Sequence, residues 1–346
     1  MALRRDQKER IAQIVVKVLY SRFHSFPESS VDNRNAPFHV AFLNAFCDRL
    51  VGRVVDIPDY IGLSSWLHGL NTSLGQTFFE SVAHILCEGE KRTFSGDQIY
   101  TRQLEAISGL MIDLKNGERR PSVQEENRII FENANGSLQL ASQFTVDCFF
   151  ETDDEVIAIE LKSVRPNSGE MRGEKQKILQ SKAVLQRVYP SKRIHYYFGF
   201  PFDPTSSEET SSNKLRFIRY LIETEKFCDP NEILIADELW SYLSGSENTM
   251  SEILTIINAI ATPAFMEEFE RIQNGTFMKL EEKRSLLERW YLYSEIAIMN
   301  RLSRGNILLS CSDRRILNQH VFRPDGSYNE NRMRLLSSLE SVICNS

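Results

Sequence analysis

The sequence predicts an α/β fold in which a mixed sheet is flanked by helices, with helical additions at both ends of the chain. Two strand-like runs, 144–150 and 156–162, are separated by the polar segment 151–155, which is typical of an antiparallel hairpin. A helical stretch, 170–188, then leads to a third strand-like run, 193–200. Because a helical crossover precedes it, this strand is expected to lie parallel to its neighbour.

The length of 346 residues allows two average domains or one large α/β domain with helical additions. The spacing of apolar residues indicates a helical region over 1–70, a core containing the sheet over 71–236, and a mostly helical region over 237–346. One continuous domain is the alternative.

Composition narrows the class of protein. A hydrophobic fraction of 42% is ordinary for a globular chain. No apolar run approaches the roughly 20 residues needed to span a bilayer, so we expect no membrane association. The six cysteines are scattered without a Cys-x-x-Cys pair, which is typical of reduced thiols in a cytoplasmic protein. The six histidines are equally dispersed and give little support for a zinc site.

Charge is unevenly distributed along the chain. The net charge is −6, but residues 162–193 hold nine Lys or Arg against two Glu. Such a concentrated basic segment is suited to phosphate contact. Charge runs are more often solvated helix faces, and only the neighbouring carboxylates make phosphate contact the favoured interpretation.

The predicted hairpin brings charged residues to one face of the sheet. If its turn centres on residues 153–154, Asp147 lies opposite Glu160 and Thr145 lies opposite Lys162, and opposed residues share a face. Two adjacent carboxylates are costly to bury unless a cation bridges them. The pattern therefore predicts a divalent metal held by Asp147 and Glu160, with Lys162 beside the attacking water of a phosphodiesterase. The alternative is an ordinary hairpin with a Lys–Glu ion pair on its solvent-exposed face.

The spacing of Asp147 and the triplet Glu160-Leu161-Lys162 resembles that of the PD-(D/E)XK nucleases. Alone, the triplet is a weak signal. The longer stretch 143–204, with 74–80 upstream, resembles the TdeIII family of type II restriction endonucleases. This resemblance implies a PD-(D/E)XK restriction-endonuclease-like core. It also implies Mg²⁺-dependent cleavage of both strands of a short palindromic double-stranded DNA site containing GG and CC, leaving 5′-phosphate and 3′-hydroxyl ends.

Mg²⁺ prefers hard oxygen ligands and keeps several waters. Asp147, Glu160 and the backbone carbonyl of Leu161 would therefore suffice as ligands, together with a phosphate oxygen. Glu80, on an upstream helix, is a further candidate for catalysis and metal binding, because the resemblance implies an acid from such a helix. An exposed helix carboxylate is the alternative for Glu80. Lys162 would orient the water and counter charge developing on the phosphate.

The start of the helix 170–188 carries residues suited to reading bases. Arg172 and Lys175 can donate to guanine and Glu174 can accept from cytosine. The cluster loosely resembles the Arg-x-(Asp/Glu)-Arg element of enzymes that read CC/GG steps, although Lys replaces the last Arg. An amphipathic helix with internal ion pairs is the alternative. Phosphate contacts are predicted for four residues in polar turns: Arg165, Asn167, Arg119 and Arg120.

Duplex DNA has two antiparallel strands, so a twofold homodimer would place one active site on each. The region after residue 236 is a candidate for the dimer surface or for clasping DNA. A cognate DNA methyltransferase is the expected partner in a restriction-modification system. Two alternatives stay open: a repair or recombination nuclease with the same core acting on branched or damaged DNA, and a noncatalytic DNA-binding protein.

Overall fold

The computed structural model describes residues 2–27, 43, 52, 57–162, 168–205, 213–273, 280–303 and 310–335. Seven strands are present in these ranges: Glu90–Phe94 (β1), Gln98–Tyr100 (β2), Leu138–Leu140 (β3), Phe144–Glu151 (β4), Glu155–Leu161 (β5), Arg193–Phe200 (β6) and Ile233–Ile235 (β7). A five-stranded sheet runs in the order β1-β4-β5-β6-β7, and β2 pairs with β3 separately.

The helices of the described ranges precede, connect and follow these strands. They are Arg5–His24 (α1), Ile57–Ser73 (α2), Glu80–Cys87 (α3), Thr101–Asn116 (α4), Val123–Glu132 (α5), Ser168–Val188 (α6), Lys214–Tyr220 (α7), Thr224–Phe227 (α8), Asp237–Ser244 (α9), Thr249–Ile260 (α10), Phe265–Gln273 (α11), Leu280–Arg289 (α12), Tyr293–Ser303 (α13) and Cys311–Leu317 (α14). A π-helical turn, Leu74–Phe79, leads directly into α3.

The predicted hairpin is confirmed. β4 and β5 are antiparallel, with Cys148 opposite Ile159, and the chain turns where the Thr152 N–H donates to the Glu155 carbonyl at 3.0 Å. β6 is parallel to β5, as the intervening helix α6 predicts. Gly199 lies opposite Leu161, and a Cβ there would come within 2.9 Å of the Leu161 side chain. Glycine therefore lets β6 approach β5 closely at the end of β5.

Helix α6 covers the sheet through its apolar face. Five buried residues line that face: Met171, Ile178, Leu179, Val184 and Leu185. They belong to the same core cluster as Phe149, Val156 and Ala158 of the hairpin. Burial of this surface, at roughly 25 cal/mol per Å² of apolar area, fixes the helix above the hairpin.

Contacts divide the chain into two compact units. Met1–Leu3 with Phe79–Glu252 form one unit, which contains the five-stranded sheet, and Arg4–Phe78 with Ile253–Ser346 form the other. This division differs from the predicted boundaries at residues 70 and 236. Within the second unit, the buried Glu9 of α1 accepts hydrogen bonds from the Ser294 N–H and hydroxyl, both at 2.8 Å. Segments from both ends of the chain therefore share one core.

Among the described residues, no single helix is both long and apolar enough to cross a membrane. Helices α10 and α11 meet that test only as a pair, by length and composition, with a bend of 80° at the break between them.

Candidate active site

The hairpin brings three predicted residues together. Continuing the β4–β5 register by one residue places Asp147 opposite Glu160. The Leu161 N–H donates to Asp147 Oδ2 at 3.1 Å, and Lys162 Nζ donates to Glu160 Oε1 at 3.1 Å. The side chains of Asp147, Glu160 and Lys162 are only 17%, 8% and 14% exposed. Two acids and a lysine therefore share a mostly buried patch at the end of the hairpin.

Helix α3 contributes Glu80 to the same patch. The π-helical turn ends at Phe79, so Glu80 begins α3, whose buried face includes Val82 and Ile85. His84 Nε2 donates to the Asp147 carbonyl oxygen at 2.7 Å, which holds α3 against β4. The Glu80 side chain is only 17% exposed. One lysine contacts both Glu80 and Asp147.

That lysine is Lys91 of β1, which sequence reasoning missed. Its Nζ lies 3.0 Å from Glu80 Oε2 and 3.2 Å from Asp147 Oδ1. The β1–β4 register shifts between Glu90 and Arg92, so Lys91 sits at a bulge. Burial alone would lower the pKa of Lys91, but the carboxylates of Glu80 and Asp147 outweigh it and raise that pKa. The charged run Glu90–Arg92 lacks the alternation that indicates a strand, so no sequence signal identified this lysine.

Helix α6 adds two residues from the other side. Lys162 Nζ donates to Glu174 Oε1 at 2.9 Å, and Lys177 Nζ donates to Glu160 Oε2 at 2.9 Å. Lys177 also lies 3.6 Å from Glu174 Oε2. Glu174 was predicted to read bases, but its carboxylate is engaged inside the site. Lys177 was missed, although its spacing of three residues from Glu174 is a known signal for a helical ion pair.

The prediction that Lys175 contacts DNA is wrong. Its side chain is 0% exposed, and its Nζ lies 2.7 Å from Glu126 Oε2 and 2.5 Å from Glu232 Oε1. Residue 175 falls on the same buried helical face as Met171 and Ile178. The ammonium is therefore a structural anchor of α6, paired with carboxylates inside the core.

The remaining residues predicted to contact DNA are not buried in the core as Lys175 is, or lie outside the described residues. Arg172 and Arg120 are exposed, so both are accessible to a ligand. Arg119 pairs with Asp113 at 3.4 Å and with Glu125 at 3.6 Å. Arg165 and Asn167 lie outside the described residues.

Electrostatics in the patch favour additional positive charge. Burial raises the pKa of Glu160, the ammonium of Lys162 opposes this rise, and the neighbouring Asp147 carboxylate adds to it. Burial would lower the pKa of Lys162, but the carboxylates of Glu160 and Glu174 outweigh it and raise that pKa. These two carboxylates therefore favour the ammonium form of Lys162.

The donor set suits a divalent metal that keeps part of its hydration. Within the described ranges, no three His, Cys, Asp or Glu side chains form a ready-made metal cluster. Mg²⁺ is, however, usually bound through one or two carboxylates with water completing its shell. Asp147 and Glu80 already converge on a cation, the Lys91 ammonium, and both oxygens of Glu160 face lysines. These carboxylate oxygens already face positive charge. The residues present therefore fit a divalent metal that Asp147 and Glu160 would hold, with Glu80 beside them.

The mixed sheet and the Asp–Glu–Lys patch on its antiparallel hairpin define the restriction-endonuclease-like class of nucleases. Residues 3–261 match the profile of the family described as type II restriction endonuclease, HinfI. The chain belongs to this family and is a type II restriction endonuclease, which acts on double-stranded DNA and, as a class, generally needs a divalent metal.

Two curated relatives agree with this assignment. The type II restriction enzyme MjaII of Methanocaldococcus jannaschii is 42% identical, over 97% of this chain and 98% of its own length. The type II restriction enzyme HgiCII of Herpetosiphon aurantiacus is 23% identical, over 67% of this chain and 79% of its own. The prediction of a type II restriction endonuclease is thus confirmed within the HinfI family, and a specificity like that of TdeIII stays a prediction.

Proposed function

We propose that this enzyme uses Mg²⁺ to hydrolyse one phosphodiester bond in each strand of a short palindromic DNA site. The observation that carries the proposal is the in-register placement of Asp147 opposite Glu160, with Lys162 hydrogen-bonded to Glu160 at 3.1 Å. Asp147 and Glu160 would hold the metal, with Glu80 and the Leu161 carbonyl as further ligands. When bound, such a metal polarises the phosphate and lowers the pKa of water.

The chain's own residues orient the reaction. The Leu161 N–H holds one oxygen of Asp147, which fixes the direction in which that carboxylate faces. Lys162, whose pKa the carboxylates of Glu160 and Glu174 raise against the effect of burial, would supply a positive charge for the phosphate oxygens in the transition state. Attack by water with departure of the 3′ oxygen leaves 5′-phosphate and 3′-hydroxyl ends.

Recognition of the DNA site is proposed for the N-terminal part of α6. Arg172 is exposed there and can donate to the O6 and N7 atoms of guanine. This supports a palindrome containing GG and CC, which the resemblance to the TdeIII family also implies. We further propose a homodimer acting beside a cognate DNA methyltransferase in the cytoplasm, because a twofold dimer presents one site to each strand.

Digestion of sequenced plasmid DNA tests the function. Wild-type enzyme with Mg²⁺ should give discrete fragments from unmodified DNA, and sequencing of both ends gives the site and the stagger. Asp147→Asn should lower the cleavage rate by about 10³-fold, since metal stabilisation of the transition state amounts to several kcal/mol. Asp153→Asn is the matched control, because Asp153 is exposed at the tip of the same hairpin.

The outcomes separate the alternatives. Structure-dependent nicking of branched DNA would favour a repair nuclease, and no cleavage by wild-type enzyme would end the proposal. Undiminished cleavage by Asp147→Asn would remove Asp147 from the active site. Sedimentation of the enzyme with and without a duplex containing the mapped site tests the dimer, which a monomeric complex would contradict.

A further inference from the structure

Four side chains in the active site form a closed ring of alternating charge. Lys162 contacts Glu160 at 3.1 Å and Glu174 at 2.9 Å, while Lys177 contacts Glu160 at 2.9 Å and Glu174 at 3.6 Å. We call Glu160, Lys162, Glu174 and Lys177 the charge ring. Glu160 and Lys162 come from the hairpin, whereas Glu174 and Lys177 come from α6. The ring therefore joins the catalytic hairpin to the covering helix.

Metal binding changes the partners available within this ring. In the proposed function, the carboxylate oxygens of Glu160 would coordinate the metal. The ion pair between Glu160 and Lys162 would then be weaker. A lysine side chain is long and flexible, so an ammonium without a fixed partner samples many positions. Among the described residues, Glu174 is the second carboxylate that contacts Lys162, and it lies on a different element from the proposed metal ligands.

Glu174 is itself held firmly in place. It directly precedes Lys175, whose ammonium is buried between Glu126 and Glu232, so the helix backbone at this point is anchored in the core. Lys177 lies one turn further along and faces the second oxygen of Glu174. That oxygen is buried and accepts no hydrogen bond among the described residues, so Lys177 is its nearby source of positive charge.

We propose that Glu174 is the positioning residue for Lys162: it keeps the catalytic ammonium in the active site when the metal takes Glu160 out of the charge ring. This inference rests on the proposed function. In this role Glu174 acts through Lys162, which it contacts at 2.9 Å. Lys177 supports it by balancing its charge.

Lysine labelling tests the proposal without relying on cleavage. Wild-type enzyme and Glu174→Gln are acetylated in Ca²⁺, and mass spectrometry measures the labelling rate of each lysine. Lys162 should stay protected in the wild type and should label several-fold faster in Glu174→Gln. Buried Lys175 and Lys182 report whether the fold stays closed. The matched control is Glu132→Gln, since Glu132 is an exposed ion-paired acid on α5.

Cleavage supplies the second readout. In a single turnover, Glu174→Gln should cut about 10²-fold more slowly, as expected for a misplaced catalytic group. Its Kd for duplex DNA in Ca²⁺ should match that of the wild type. If Lys175 becomes labelled, the variant has opened, and the comparison passes to Glu174→Asp, which keeps the charge and should keep Lys162 protected.

Two results overturn the proposal. One is a Lys162 labelling rate in a closed Glu174→Gln that equals the wild-type rate; the other is a Glu174→Asp variant in which Lys162 is unprotected. Neither result touches the proposed function, which is tested separately by cleavage with wild-type enzyme and with Asp147→Asn.

Discussion

At the scale of single residues, Lys91 has the clearest consequence for metal binding. Its ammonium bridges Glu80 and Asp147, two carboxylates that would otherwise repel one another. A divalent metal that takes Asp147 as a ligand must compete with this lysine. The Lys91 side chain is 47% exposed, so it can move into solvent when the metal binds.

Replacing this lysine should strengthen metal binding. In Lys91→Met the competing ammonium is gone, and Ca²⁺ affinity measured by calorimetry should rise, by about tenfold if the lost competition is worth about 1.4 kcal/mol. Lys192→Met is the matched control, because Lys192 pairs with Glu151 at the turn of the β4–β5 hairpin, the end away from Asp147. Weaker Ca²⁺ binding by Lys91→Met would show that the lysine supports the site.

The residues that could be predicted from sequence are those related by strand geometry. Asp147, Glu160 and Lys162 follow from alternation and one turn, because the side-chain period of a strand is two residues. Lys91 depends on a bulge, and Lys177 depends on how α6 lies across the sheet. Neither a bulge nor a packing angle leaves a local pattern in the sequence.

At the scale of elements, helix α6 serves two purposes through adjacent residues. Glu174 faces the active site, while Lys175 turns into the core and pairs with Glu126 of α5 and Glu232. The carboxylates hold the pKa of Lys175 well above its ordinary value, although burial opposes this. Position on the helix thus decides that Glu174 contacts Lys162 and that Lys175 is buried as an anchor.

Removal of the anchor should destabilise the fold. Lys175→Met leaves two buried carboxylates without their main cation, and breaking a buried pair from one side costs about 3–5 kcal/mol. Urea unfolding measures this loss. Arg187→Met, on the exposed surface of the same helix, should change stability by less than about 0.5 kcal/mol. Equal stability of the two variants would contradict the anchoring role.

Elements with a strong pattern could be predicted, and those without one could not. The hairpin and the parallel β6 follow from alternation and from the crossover helix. Lys175 was misassigned because a charged residue on a helix is usually solvated, and only tertiary contacts show that Glu126 and Glu232 are present to receive it. Strand β1 was missed because an edge strand with charged residues has no alternating signal.

At the scale of the whole molecule, the two ends of the chain meet in the second unit. Glu9 and Ser294 are 285 residues apart in sequence, and both are buried where they hydrogen-bond. Burial raises the pKa of Glu9, although the hydrogen bonds from Ser294 oppose the rise. Such a contact costs loop-closure entropy and forms only when distant segments fold together.

This carboxyl group should make stability depend on pH. Because its folded pKa is raised above the ordinary 4.5, its contribution is fully present below that value and is lost as pH rises through the folded pKa. Glu9→Gln keeps an acceptor for Ser294 and does not ionise. Its stability relative to wild type should therefore increase from about pH 4 to about pH 7, as measured by urea unfolding. If the difference in unfolding free energy between Glu9→Gln and wild type does not change with pH, Glu9 does not have a raised pKa in the folded protein.

The thiols of Cys87 and Cys148 lie 3.4 Å apart, one on α3 and one on β4. Cys148 follows Asp147 in the chain, and Cys87 shares its helix with Glu80. A maleimide or mercurial attached to half-buried Cys87 would wedge that helix away from the strand and misalign the two acids. Preparations of this enzyme should therefore be handled in reducing buffers, and loss of cleavage after alkylation would indicate that Glu80 and Asp147 have been displaced within the candidate active site.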